Sequence, residues 1–257
     1  MGGSMETLVI DIGNTRLCWR HRDGTGEVQS GTASHEAIAD VLSDLPRAES
    51  IAISSVVPAH EPELEKWLRR TDRPAALWVR SGADLGDRVC TDEPHRTGAD
   101  RALCALAWGA SGEHRSAVII DAGSAVTVDA VSASGQLLGG WIAPGLGALG
   151  AGLRQVAPSL PDPSVVSASS SDPEPRQMLP WASDTKLAIR GGIESLFIGG
   201  IQTLRDRVQS GLGAGAVTVL TGGDADLLMQ ALEPAVLRPG MVLDGLEALL
   251  RGAADAQ

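Results

Sequence analysis

Two stretches of the chain share one pattern. Leu8-Val9-Ile10-Asp11-Ile12-Gly13-Asn14-Thr15 and Val118-Ile119-Ile120-Asp121-Ala122-Gly123-Ser124-Ala125 each run from an apolar strand through Asp, a small or apolar residue, Gly and small polar residues into a second strand. Glycine lets a backbone approach a ligand closely, and Asn14, Thr15 or Ser124 can donate hydrogen bonds to phosphate oxygens. An aspartate closing the strand cannot bind phosphate directly, but it can hold a cation, or a cation's water shell, that bridges to phosphate. One such turn alone reads as a hairpin. Two copies after equally buried strands point instead to phosphate binding, because tight hairpins prefer Asn-Gly or Asp-Gly in direct succession. The duplication predicts two similar lobes that clamp a triphosphate across a cleft.

Asp100 and Arg101, in Thr97-Gly98-Ala99-Asp100-Arg101, fall in the first turn of a small-residue helix. An acidic residue there is favoured by the helix dipole by about 0.3 to 1 kcal/mol, which is one complete explanation for it. The other is a general base within reach of a substrate hydroxyl, with Arg101 steadying negative charge. Gly145-Leu146-Gly147-Ala148-Leu149-Gly150 matches G-x-G-x-x-G. Pro144 precedes it and a proline-serine stretch follows, so it reads as a glycine-rich helix start; a dinucleotide site for an NAD-dependent oxidoreductase is the remote alternative. Trp67, Trp108, Trp141 and Trp181 read as core or interface residues.

The elements that must position these residues alternate between short apolar runs and helical periodicity, which predicts an α/β protein. Strands are expected at 7–10, 16–20, 50–57, 77–79, 117–120, 125–131, 136–141 and 217–220. Helices are expected from the cap Ser34 to Leu45 and at 61–70, 98–110, 146–156, 187–208, 225–232 and 245–250. A turn is expected at Asp23-Gly24, and 159–180, rich in Pro and Ser, reads as a loop. The halves divide at 5–115 and 116–257. Met1-Gly2-Gly3-Ser4 is expected to be a cloning remnant ahead of a natural start at Met5.

Composition removes several classes. The chain has 257 residues and a formal net charge of −11, which argues against nucleic acid or an anionic membrane as partner. No apolar run approaches a membrane span, and no secretory signal is read at the start. Cys18, Cys90 and Cys104 have no paired spacing, as expected for reduced thiols in the cytoplasm. The two lysines, Lys66 and Lys186, end no phosphate loop of the G-x-x-x-x-G-K type, and there is no G-x-S-x-G elbow.

Taken in order, the motifs resemble those of the type III pantothenate kinases, of the acetate and sugar kinase/Hsp70/actin superfamily. They are Asp11-Ile12-Gly13-Asn14-Thr15-Arg16, Ser54-Ser55-Val56-Val57-Pro58, Pro94 with Gly98-Ala99-Asp100-Arg101, Asp121-Ala122-Gly123-Ser124-Ala125, Gly139-Gly140-Trp141-Ile142-Ala143-Pro144-Gly145 and Thr221-Gly222-Gly223. The resemblance implies two ribonuclease H-like (actin-like ATPase) lobes around a central cleft. It also implies transfer of the ATP γ-phosphoryl group to the 4′-hydroxyl of pantothenate, the first step of coenzyme A synthesis. By the same resemblance Asp100 is the proton acceptor, and Gly98, Ala99, Asp100, Arg101 and Thr185 contact pantothenate. Asp11, Ile12, Gly13, Asn14, Thr15, Arg16, Leu17 and Cys18 wrap the nucleotide with Ser124. Asp121 holds a monovalent cation (potassium or ammonium), Mg²⁺ accompanies ATP, and the protein is a cytoplasmic homodimer. Thr91 stands where the family usually has tyrosine, and Ser124 where it has threonine. The lost tyrosine motivates the alternative of a non-catalytic nucleotide-binding regulator of the same fold.

Overall fold

The computed structural model describes residues 5–161 and 180–255. Among these residues ten strands form two five-stranded sheets of the same design. In the first, β1 (Thr7–Ile12) pairs antiparallel with β2 (Arg16–Arg22) and parallel with β4 (Ser50–Ser55). Outside these lie β3 (Val28–Ser34), antiparallel to β2, and β5 (Ala76–Val79), parallel to β4. The second sheet repeats this. Here β6 (Ala117–Ala122) pairs antiparallel with β7 (Ala125–Val131) and parallel with β9 (Val217–Thr221). Its outer strands are β8 (Leu137–Pro144) and β10 (Ala235–Leu237). The repeated D-x-G unit is thus the visible part of a duplicated sheet.

Strand alternation sorts the side chains into layers. Along β1, Leu8, Ile10 and Ile12 point outward into a core with α1 (Ile38–Asp44) and α2 (Glu61–Arg70), whereas Val9 points inward. Along β6, Val118, Ile120 and Ala122 join an outer core that includes Phe197 and Ile201 of α5 (Thr185–Leu212) and Leu228 of α6 (Ala225–Met229), and Ile119 points inward. Between the sheets lie α3 (Ala99–Ala110) and α7 (Met241–Asp255), with Leu103, Leu106 and Trp108 from α3 and Leu243, Leu246 and Leu250 from α7 in one central cluster. A helix buried on nearly all sides must be apolar almost all round, which explains the small-residue sequence of α3. The two helices cross so closely that a Cβ on Gly245 would strike the Leu103 backbone.

Most expected elements form, with differences at their ends. The structure adds two outer strands that the sequence reading lacks, β3 and β10; β3 is largely exposed, so it shows no clean apolar alternation. The helix expected after Ser34 begins as a short 3-10 turn and becomes α-helical at Ile38. α5 and α7 are longer than expected, and α7 packs against β1 and β4 of the first sheet as well as α3. Trp67 and Trp108 are core residues, while Trp141 and Trp181 are exposed. Most of the expected 159–180 loop lies outside the described residues.

Candidate active site

Alternation that sends Val9 and Ile119 inward sends Asp11 and Asp121 inward too, at the ends of the two central strands. Between them opens a cleft of about 1610 Å³, lined by the β1–β2 turn, the β6–β7 turn, Asp100 and the Thr221-Gly222-Gly223-Asp224 segment. Each turn is closed by its glycine, the first one residue longer than the second: Gly13 N–H donates to Arg16 O at 3.0 Å, and Gly123 N–H to Ala125 O at 3.1 Å. Their tips meet across the cleft, where the Thr15 and Ser124 hydroxyls hydrogen-bond at 3.2 Å. The first turn is further held by the His35 ring, whose Nε2 lies 2.9 Å from Gly13 O.

Two glycines outside these turns shape the second one. Gly145 N–H donates to Ser124 O at 3.1 Å, and a Cβ there would overlap the carbonyls of Gly123 and Ser124. Gly222 has φ +92°, and its Cβ would overlap Ala122 O and an Asp121 carboxylate oxygen. Gly145 starts α4 (Leu146–Val156), directly after β8. The G-x-G-x-x-G run is therefore a helix start packed on the second turn. The strand before it is the antiparallel edge of its sheet, which is not the parallel βαβ setting of a dinucleotide site.

Three carboxylates converge here. Burial raises Asp11 to about 7, with the Asp100 charge adding to it and the hydrogen bond donated by Ser54 Oγ opposing it. Burial likewise raises Asp121 to about 7, reinforced by Asp100, Asp11 and Asp129. Asp100 is also raised by burial, opposed by the Arg101 backbone N–H, which donates to its carboxylate at 2.8 Å. Buried like charges of this kind favour either a proton or a cation among them. Among the described residues no group of three or more His, Cys, Asp or Glu side chains forms a metal cage. The residues present fit a cation that keeps much of its water shell and binds chiefly through substrate phosphates. The Thr127 side chain, in the cleft lining, acts on Asp129, where it opposes the rise that burial imposes on that carboxyl.

The expected site residues divide into two groups. Asp11, Gly13, Asn14, Thr15, Arg16, Cys18, Asp100, Asp121 and Ser124 line the cleft together. Ile12 and Leu17 do not: both side chains are fully buried in the outer core, so only their backbone faces the turn. Gly98, Ala99, Arg101 and Thr185 are also absent from the lining. Gly98 caps α3, Ala99 is wholly buried, and Thr185 is exposed at the start of α5, whose cleft residues are Arg190, Ile193 and Glu194. Arg101, expected to steady charge in the cleft, has its guanidinium paired with buried Asp129 on β7, Nε to Oδ1 at 2.9 Å. Thr91, at the missing tyrosine, instead hydrogen-bonds the Thr97 hydroxyl at 2.7 Å.

Sequence reasoning assigned no role to Ser54, Asp129, Thr127 or Thr221. Ser54 and Thr221 occupy equivalent places, paired in register with Asp11 and Asp121 on the neighbouring parallel strands. Only the strand pairing discloses this. Cys18, Cys90 and Cys104 are unpaired, and no described helix is long and apolar enough to cross a membrane.

Solved structures of low sequence identity share this architecture. A conserved putative Baf family transcriptional activator from Campylobacter jejuni superposes with TM-score 0.60 at 21% identity, covering 96% of this chain and 99% of that one. MreB 5 of Spiroplasma citri bound to AMPPNP gives 0.53 at 9%, covering 98% of each. The fold is that of the two-lobed actin-like ATPases. Closer in sequence are the type III pantothenate kinase of Alcanivorax borkumensis, 30% identical over 93% of this chain and 96% of its own, and that of Chlorobium luteolum, 32% identical over 96% and 94%. A sequence model of one family, type III pantothenate kinase, matches residues 7–207, a span that takes in both aspartate-glycine turns and the helix start between them. A family match across residues 7–207, with relatives about 30% identical over nearly the whole length of both chains, places this protein in the type III pantothenate kinase family.

Proposed function

We propose that this enzyme transfers the γ-phosphoryl group of ATP to the 4′-hydroxyl of pantothenate, giving 4′-phosphopantothenate, the first step of coenzyme A synthesis. The observation that carries the reading is the meeting of two duplicated turns over one cleft that Asp100 also lines. Phosphoryl transfer demands positioning and charge neutralisation more than a strong nucleophile, and this cleft is built for both.

In this reading the backbone N–H groups of the first turn, with Asn14, Thr15 and Arg16, hold the nucleotide phosphates from one side and Ser124 from the other. Asp100 accepts the proton of the attacking hydroxyl. Its raised pKa makes it a better proton acceptor than an exposed aspartate, at the cost of a larger protonated fraction near neutrality. Asp121 takes the monovalent cation, potassium or ammonium, and Mg²⁺ travels with ATP; when bound, these ions offset the phosphate charge. Gly98, Ala99, Arg101 and Thr185 are carried over as pantothenate neighbours, the first two through backbone alone. The lobes are proposed as 5–115 and 116–257, with α7 returning to the first. A cytoplasmic homodimer completes the proposal; the outer strand β8, where Ile142 is 66% exposed, offers a face for the second copy.

The test is ADP release coupled to pantothenate addition in potassium buffer, for wild type and Asp100→Ala. Pantothenate-dependent turnover that falls on the order of 100- to 10,000-fold in the variant is expected. ATP binding without pantothenate turnover in the wild type would instead identify a nucleotide-binding regulator, and full turnover in the variant would remove Asp100 as the base.

A further inference from the structure

Arg101 and Asp129 form a buried ion pair that no step of the proposed reaction uses. Arg101 Nε donates to Asp129 Oδ1 at 2.9 Å and Oδ2 at 3.2 Å, and Nη2 also reaches Oδ1. The side chains are 12% and 2% exposed, and neither lines the cleft, although Asp100, the adjacent residue, does. The pair joins α3 in the middle layer to β7 in the second sheet. It therefore fixes both the orientation of the first helical turn and the location of the guanidinium charge.

That location matters because Asp100 lies among competing charges: Arg101 on its own helix, Asp11 from β1, Asp121 from β6 and Asp129 from β7. Asp100 already accepts the Arg101 backbone N–H at 2.8 Å. A buried guanidinium deprived of its partner is strongly unfavourable and turns to whatever carboxylate is near. After Asp129, the carboxylate whose charge acts on Arg101 is Asp100.

We propose that Asp129 is a positioning residue for phosphoryl transfer: by holding the Arg101 guanidinium against β7, it keeps the guanidinium from pairing directly with Asp100 and leaves the Asp100 carboxylate open to the cleft as a proton acceptor. The proposal rests on the reading of Asp100 as the base. It also gives the Arg101 charge a different task from stabilising the transferring phosphoryl group.

The experiment measures kcat and KM for ATP and pantothenate, each at saturation of the other, in wild type, Asp129→Asn, Asp129→Glu, the double variant Asp129→Asn with Arg101→Gln, and Asp100→Ala. In Asp129→Asn, kcat is expected to fall about tenfold or more while the ATP KM stays within about twofold. The double variant recovers most of the lost kcat, since no guanidinium remains to capture Asp100, even if its pantothenate KM rises. Asp129→Glu, which keeps the pairing charge, retains at least about a third of kcat. A purely structural role predicts the opposite order, with the double variant no better than the single one, and that result overturns the proposal, as does wild-type kcat in Asp129→Asn. Should Asp129→Asn not fold, the double variant decides alone: high kcat supports the proposal and low kcat overturns it. Loss of turnover in Asp100→Ala with none in Asp129→Asn overturns this inference only. Full turnover in Asp100→Ala removes the base and the inference with it.

Discussion

Thr15 and Ser124 are separated by 109 residues of chain, yet their hydroxyl oxygens lie 3.2 Å apart. This contact joins the tips of two turns that belong to different sheets, and it sits where a nucleotide's phosphates must pass if the cleft binds one. The two hydroxyls share one hydrogen bond, and on nucleotide binding each would exchange its partner for a phosphate oxygen. Ser124→Ala is expected to raise the ATP KM by roughly 3- to 10-fold, consistent with about 0.5 to 1.5 kcal/mol for one hydrogen bond, with kcat changed less. Steady-state kinetics with ATP varied checks this. An unchanged KM would place the phosphates elsewhere.

Ser54 is fully buried and donates to Asp11 from the neighbouring strand. A donor to the ionised carboxylate favours ionisation, so its removal pushes Asp11 above its value of about 7. More of the protein would then carry a neutral Asp11 at pH 7. Ser54→Ala is therefore expected to lower kcat/KM for ATP at pH 7, to move the acid limb of its pH profile upward, and to recover by pH 9. A loss that persists unchanged at pH 9 would mean the serine acts through packing.

Asp121 predicts a trade between stability and activity. Its folded pKa, about 7, lies above the ordinary value of 3.8, so the folded state binds this proton more tightly than the unfolded state. Stability from this group is present below about pH 4 and is lost as pH rises through about 7. Without nucleotide or potassium, Asp121→Asn should melt at least about 3 °C above wild type at pH 8, and the gap should close by pH 4. Its dependence of activity on potassium should weaken or vanish. Thermal melts across that pH range test the first part and potassium titration of turnover the second; equal melting at pH 8 would contradict the assignment of an unrelieved buried charge.

Gly145 carries a steric prediction. With Ala there, the added Cβ meets two carbonyls of the second turn, so backbone must shift. Gly145→Ala is expected to cost about 1 to 3 kcal/mol of stability and to raise the ATP KM. Gly147→Ala, in the same helix with nothing within 4 Å of its added Cβ, is the control and should be near neutral for stability. Urea unfolding of both variants distinguishes a local clash from a general intolerance of helix changes.

The β8 edge provides the last prediction. Ile142 is 66% exposed on an outer strand of its sheet, a place that natural sheets usually cover or charge. If two copies meet there, Ile142→Arg should convert a dimer to a monomer in light scattering without altering the far-ultraviolet spectrum. A persistent dimer would put the contact on another face.

How much of this was legible in the sequence follows from what each residue's task depends on. Continuous apolar runs ending in Asp-x-Gly specify buried central strands and their turns locally, so Asp11, Asp121 and the pairing of two similar halves could be read directly. The apolar, small-residue make-up of α3 likewise announced a buried helix with Asp100 at its start. Register between distant strands has no such local signal. That Ser54 faces Asp11, that Arg101 turns to Asp129 and away from the cleft, and that Ile12 and Leu17 point into the core follow from strand alternation and from which sheet α3 packs against. The exposed outer strand β3 left no apolar pattern because water, and not packing, covers much of it. Local chemistry thus determined which groups the protein possesses, and long-range packing decided which of them share a cleft and which neutralise one another.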